Sequence, residues 1–205
     1  MDQERQWVAA ALQGDQQAFA QLVHAYQNPV YNLCFRMLGT ASEAEDAAQE
    51  TFVRVYVNLK TYDPLRKLSS WILTVASHHC IDRLRRKRLD LIPLEDLLPW
   101  QPLAPESASP EQVVVQKESR DQVHHLMQSL NVDDRLVVAL RYWQDLSYVE
   151  IADITGTTES AVKSRLHRAR SALARQLLGH STDAGAAPLG RTEPAKGRRT
   201  DNALL

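Results

Sequence analysis

Proline divides this chain. Five of its nine prolines, Pro93, Pro99, Pro102, Pro105 and Pro110, fall within DLIPLEDLLPWQPLAPESASP, residues 90–110. Each removes a backbone donor and clashes with the preceding turn of a helix, so neither a continuous helix nor a central strand can cross the interval. It reads as an extended linker, residues 90–110, between blocks at 1–89 and 111–179. Residues 180–205 are small, polar and patternless, with too little apolar surface to order themselves, and are expected to be flexible. With 205 residues and 44% hydrophobic content, the chain has material for two small domains.

Both blocks read as helical, and no strand pattern with hairpin turns appears, so the predicted class is all-α. In the first block Gly14-Asp15 separates two helices. Pro29 is placed at the start of another, which Gly39 ends. Ser42-x-x-Glu45 has capping-box spacing for a helix to about Leu59, and a long helix is expected from Ser69 to Arg88. In the second block Ser109-Pro110-Glu111-Gln112 opens a helix to Leu130, and Asp133 opens one to Trp143. Ser147-x-x-Glu150 caps a short helix ending near Thr155-Gly156.

The next stretch, TTESAVKSRLHRARSALARQL, carries five cations between Lys163 and Arg175 in a chain whose net charge is −1. On a helical wheel Val162, Leu166, Ala169 and Leu173 form an apolar seam. Ser160, Ser164, His167 and Ser171 lie opposite, with Lys163, Arg168 and Arg170 at the edges. Small polar side chains let a helix approach base edges while flanking cations reach phosphates. A solvated basic face would show the same charge run. The capped short helix and glycine turn before it favour a helix–turn–helix.

The first block ends in a second basic run, IDRLRRKR, with Arg83, Arg85, Arg86, Lys87 and Arg88. On that helix Leu73, Ser77, Cys80 and Leu84 share an inward face, and Trp71, Val75, His78 and Asp82 share the other. An exposed Trp, Val and His suit unstacked single-stranded bases, although Trp71 could equally be core. His78 and His79 diverge by 100° on a helix and have no evident carboxylate partner, which argues against a metal site. Cys34 and Cys80 sit in apolar helical patterns and read as buried free thiols. Upstream, SEAEDAAQETF carries Glu43, Glu45, Asp46 and Glu50. The helix macrodipole accounts for the first three but not for Gln49 and Glu50, a turn further on.

The run LSYVEIADITGTTESAVKSRLHRARSAL resembles the promoter-reading C-terminal domain of extracytoplasmic-function sigma factors, and VKSRLHRAR, Val162 to Arg170, is highly specific to that family. The stretch Ala44 to Phe52 is similar to the family's polymerase-binding helix. The resemblance covers about residues 15–89 and 112–178, in the family's order. It implies that Glu45, Asp46, Gln49, Glu50 and Phe52 meet the clamp coiled coil of the largest subunit of core RNA polymerase. It implies that Trp71, Val75, His78, Arg83, Arg85 and Arg86 hold and melt the minus-ten promoter element. Thr158, Glu159, Ser160, Lys163, Ser164, Arg165, His167 and Arg168 would then read the minus-thirty-five element. An anti-sigma factor is a further partner that the resemblance admits. The chain departs from the family at Leu68-Ser69-Ser70, where Phe-Arg-Thr is usual, at Thr74 and His78, where Arg and Asn are usual, and at Ala161, usually Thr. The preferred minus-ten sequence therefore does not carry over.

No activated nucleophile, phosphate-binding loop or metal constellation is present, so neither an enzyme nor a cofactor is expected. Two rival readings remain weaker. A dimeric helix–turn–helix regulator needs a sensor domain, which the first block does not suggest, and an enzyme using His78, His79 and Asp82 has no other support. The opening MDQERQW is no signal peptide and no apolar run approaches a membrane span, so a cytoplasmic protein without membrane insertion is expected.

Overall fold

The computed structural model describes residues 2–89 and 122–183. The first half contains α1 (Asp2–Leu12), α2 (Gln16–Leu38), α3 (Ala41–Asn58), a 3-10 turn (Leu59–Thr61) and α4 (Leu68–Leu89). The second contains α5 (122–129), α6 (Val132–Trp143), α7 (Tyr148–Thr155) and α8 (Glu159–Asp183). There is no strand among the described residues. The fold is all-α, as expected. The interval 90–110 and the helix start at Ser109–Gln112 lie outside the described residues, as does the chain beyond Asp183. α8 itself runs four residues past Gly179, the expected end of the second block.

Asp15 starts α2, its carboxylate accepting from the N–H groups of Gln17 at 2.8 Å and Ala18 at 3.1 Å. The expected new helix at Pro29 does not occur, because α2 passes straight through it. An interior proline costs about 3 kcal/mol. Val30, Leu33, Cys34 and Met37, each 0% exposed, lie just beyond it, and burying each large apolar side chain contributes ~1.5–3 kcal/mol. Burial along one continuous seam outweighs the break. Gly39 then ends the helix in the left-handed region (φ 101°), its N–H donating to the Phe35 carbonyl at 3.0 Å.

The cap of α3 is Thr40, not Ser42. Thr40 Oγ1 accepts from the Glu43 N–H at 3.3 Å and donates to Glu43 Oε2 at 3.1 Å. The Gly39 turn leaves Thr40 extended, and the helix begins at once, two residues ahead of the spacing read from sequence. Likewise Asn131, rather than Asp133, caps α6 by accepting from the Asp134 N–H at 2.9 Å. The box on α7 is as expected. Ser147 and Glu150 cap each other reciprocally, and Gly156 closes the helix at φ 62°.

In the first half α1, α3 and α4 pack around α2; in the second α6 and α7 pack against α8. The halves also touch, α2 against α6 and α4 against α7. At the first contact lies Arg135, only 6% exposed. Its Nη1 donates to the Met37 carbonyl and to Gln128 Oε1, both at 2.6 Å. Its Nη2 donates to the carbonyls of Gln128 at 2.8 Å and Leu130 at 3.2 Å. Three of these four acceptors are carbonyls at the ends of α2 and α5, the negative poles of two helix dipoles. Nearby, Gln144 Nε2 donates to the Pro29 carbonyl at 3.0 Å, and the Arg36 guanidinium sits 4.4 Å above the Trp143 ring.

Candidate nucleic-acid interface

The seam of α8 is buried as predicted: Val162, Leu166 and Ala169 are at most 1% exposed, and Leu173 is half-buried. Ser160, Ser164, His167 and Ser171 are exposed on the opposite face. Thr158 opens the helix, its hydroxyl accepting from the Ala161 N–H at 3.2 Å. The cations at the edges of this face already have partners within the chain. Lys163 pairs with Glu159 at 2.8 Å, Arg165 with Asp133 at 3.0 Å and Arg168 with Asp134 at 3.4 Å. Arg170 donates to the Tyr142 hydroxyl at 3.0 Å. The Lys163–Glu159 pair is exposed on both sides and contributes ~0–1 kcal/mol, so a phosphate can replace that carboxylate at little cost, whereas Asp134 is buried and holds Arg168 from inside the domain.

α4 buries Leu73, Ser77 and Cys80 with Leu84 half-buried, the face expected inward. The opposite face is less open than the wheel implied. His78 and Asp82 are exposed, but Trp71 and Val75 are half-buried against the core. The loop after the 3-10 turn folds back, so that the Tyr62 ring lies 5.4 Å from that of Trp71, while the Tyr62 hydroxyl donates to the Arg66 carbonyl at 2.7 Å. A wheel built from one helix cannot show a covering loop. Beside it a cavity of about 380 Å³ is lined by Glu4 and Arg5 of α1 together with Tyr62, Leu65, Arg66 and Leu68. Sequence reasoning gave α1 no role there.

Glu45, Asp46, Gln49 and Glu50 are exposed on α3, but Phe52 is 9% exposed and belongs to the core. It lies with Thr51 (0% exposed) and Val55 (1%) on the inward face of α3, away from the acidic stripe. The apolar neighbours of the acidic stripe are instead Val53 (56% exposed) and Val57 (64%). They stand seven and eleven residues after Asp46, a spacing that keeps them on its face. The acidic and basic helices also meet each other. Arg83 pairs with Asp46 at 3.3 Å and Lys87 with Glu43, while Arg54 pairs with Glu50 at 2.9 Å.

Two further contacts join the loop before α4 to α7. Lys67 Nζ lies 2.6 Å from Glu150 Oε1, and Arg66 Nη2 lies 3.3 Å from Asp153 Oδ2. The Lys67 ammonium, aided by the Ser147 N–H and hydroxyl, lowers the Glu150 carboxyl to about 2. The pair therefore contributes fully to the folded arrangement above the ordinary carboxylate value of 4.5, progressively less below it, and nothing once pH has fallen through about 2.

Models of Sigma-70 region 2 and Sigma-70 region 4 match residues 22–89 and 120–173. The ECF RNA polymerase sigma factor SigW of Bacillus subtilis (strain 168) is 39% identical over 170 residues, 80% of this chain and 91% of that protein. The chain belongs to the extracytoplasmic-function sigma factors. As an alternative sigma factor it directs promoter-specific transcription initiation, and it is not an enzyme. The RNA polymerase sigma-H factor of Pseudomonas aeruginosa (PAO1) is 31% identical over 182 residues, 86% of this sigma factor and 94% of that one. Solved structures share the fold. One is CnrH in complex with the cytosolic domain of CnrY, with a TM-score of 0.64 at 23% identity, covering 90% of this sigma factor and 99% of that chain. Another is the sigma factor RpoE in complex with the anti-sigma factor NepR from Bartonella quintana, with a TM-score of 0.61 at 20% identity, covering 78% and 96%.

Proposed function

We propose that the two halves of this sigma factor divide promoter recognition between them, with residues 1–89 serving core polymerase and the minus-ten element and residues 111–179 serving the minus-thirty-five element. The observation that carries the reading is the outward face of α8, where small polar side chains run between cations while Val162, Leu166 and Ala169 are buried on the opposite side. That face enters the minus-thirty-five major groove. Ser160 and Ser164, with Glu159 and His167, meet base edges, and Lys163, Arg165 and Arg168 meet phosphates. On α3, Asp46, Gln49 and Glu50 with Val53 and Val57 dock on the clamp coiled coil of the polymerase largest subunit.

At the minus-ten element, Trp71 and His78 take an unpaired base, and Arg83, Arg85 and Arg86 hold the duplex upstream. Stacking on an aromatic ring contributes ~1–3 kcal/mol per base, comparable to unstacking one base step. An anti-sigma factor is a fitting regulator, since RpoE of Bartonella quintana was solved bound to one. The site of action is the cytoplasm, where polymerase and DNA lie; no helix among the described residues is long and apolar enough to cross a membrane.

In vitro transcription with purified core polymerase and a genomic promoter library tests the reading, with permanganate footprinting of unpaired thymines. The wild-type chain opens a defined promoter set unaided. Trp71→Ala keeps duplex binding and loses open complexes by about tenfold, the equivalent of ~1.4 kcal/mol. A holoenzyme that binds promoters but opens none without an added activator would overturn it.

A further inference from the structure

In this structure the surfaces assigned to the two promoter elements lie side by side. One cavity of about 480 Å³ is lined both by His78, Asp82 and Arg85 of α4 and by Asp133 and Arg165 of the second half. The elements themselves are about 25 base pairs apart, roughly 85 Å along B-form DNA at ~3.4 Å per step. Contacting helices cannot span that distance. The arrangement seen here is therefore a closed one, and α7 must leave α4 before both elements are read.

The closed contact brings two carboxylates to the loop that precedes Trp71. Arg66 and Lys67 stand five and four residues ahead of Trp71 and beside the cavity walled by Tyr62 and Leu65. Glu150 and Asp153 lie one helical turn apart on α7, and their charged ends reach Lys67 and Arg66 at 2.6 and 3.3 Å. Two anionic groups thus meet two cations beside the site assigned to an unpaired base. Both pairs are solvent-accessible, with Lys67 67% and Arg66 45% exposed at the side chain, so exchange for another anion is easy.

We propose that Arg66 and Lys67 are phosphate contacts for the melted minus-ten strand and that Glu150 and Asp153 occupy them in the free protein, so that the strand and α7 compete for the same two cations. The inference rests on the minus-ten assignment above. It accounts for the pairing of a DNA-reading domain's first helix with a remote loop, which the helix–turn–helix itself does not require. It also makes the free chain a poor binder of single strands until polymerase draws the halves apart.

The test uses the free full-length chain and a fluorescent single strand of about 15 nucleotides of mixed sequence, titrated by anisotropy from about 50 mM salt upward. Glu150→Gln with Asp153→Asn leaves the Ser147 cap its acceptor. It is expected to tighten binding about fivefold and to steepen the slope of log K against log salt by about 1.4, two phosphates at ~0.7 each. Adding Arg66→Gln and Lys67→Gln must abolish that gain, and the same pair of changes in the wild-type background must cost far less. Such non-additivity separates shared contacts from a general change in net charge. Should the double variant fold poorly by circular dichroism, Asp153→Asn alone carries the same cycle with Arg66→Gln at half the slope change. Purely additive effects overturn the proposal. If the wild-type holoenzyme opens promoters while the cycle is additive, only the competition falls. If it opens none, the minus-ten assignment falls and these contacts with it.

Discussion

His79 is 8% exposed, and neither of its ring nitrogens has a hydrogen-bond partner. Burial lowers its pKa, and Arg54 and Arg83 act in the same direction against the weaker pull of Glu50 and Asp82. The folded chain therefore favours the neutral ring, while the unfolded chain takes up a proton near the ordinary value of 6.5. Stability is fully present above that value and declines as pH falls below it, because the unfolded state binds more protons. Thermal denaturation between pH 8 and pH 5 should show this decline, and His79→Leu should flatten it. An unchanged profile in the variant would assign the acid sensitivity elsewhere. The nearby thiols show a related limit of sequence reading. Cys34 and Cys80 were legible as buried, but not as neighbours 3.6 Å apart, because they come from separate helices.

Features set within one or two turns were legible at the level of elements. The Ser147 box, the Gly156 turn and the Val162–Leu166–Ala169 seam depend on local spacing, and the chain has them where the spacing put them. Pro29, Phe52 and Trp71 depend on what lies across from them, and a single helix does not carry that information; Thr40 is set locally by the Gly39 turn, which the Ser42 spacing outbid in the reading. Charge was legible as runs but not as pairs, so the mutual neutralisation of α3 and α4 was missed. It bears on how α3 is tested. Reversing Asp46 and Glu50 to Lys leaves Arg83 and Arg54 facing like charges, yet exposed sites of this kind rarely cost more than ~0.5–1 kcal/mol of stability. The variant should fold, and its affinity for core polymerase should drop by an order of magnitude or more in a fluorescence titration. Unchanged affinity would remove α3 from the polymerase contact.

At the scale of the whole molecule, the joint between the halves depends on one residue without a side chain. A Cβ on Gly39 would stand 2.8 Å from Gln128 Nε2 and 3.2 Å from His124 Cε1, at a φ of 101° that other residues avoid. Gly39→Ala should therefore destabilise the chain by about 1–2 kcal/mol through the backbone alone. By displacing Gln128 it should also loosen closure, read as a larger radius of gyration in solution scattering. A variant equally stable and equally compact would show that the joint tolerates the methyl group.

Arg135 decides what happens to that joint after it opens. Its bonds to Gln128 and Leu130 lie within the second half, and only the one to Met37 crosses to the first. When the halves part, the guanidinium keeps most of its acceptors and stays in its socket, and a single carbonyl at the end of α2 turns to water. Parting the halves thus leaves Arg135 held by Gln128 and Leu130, ready to take up the Met37 carbonyl again.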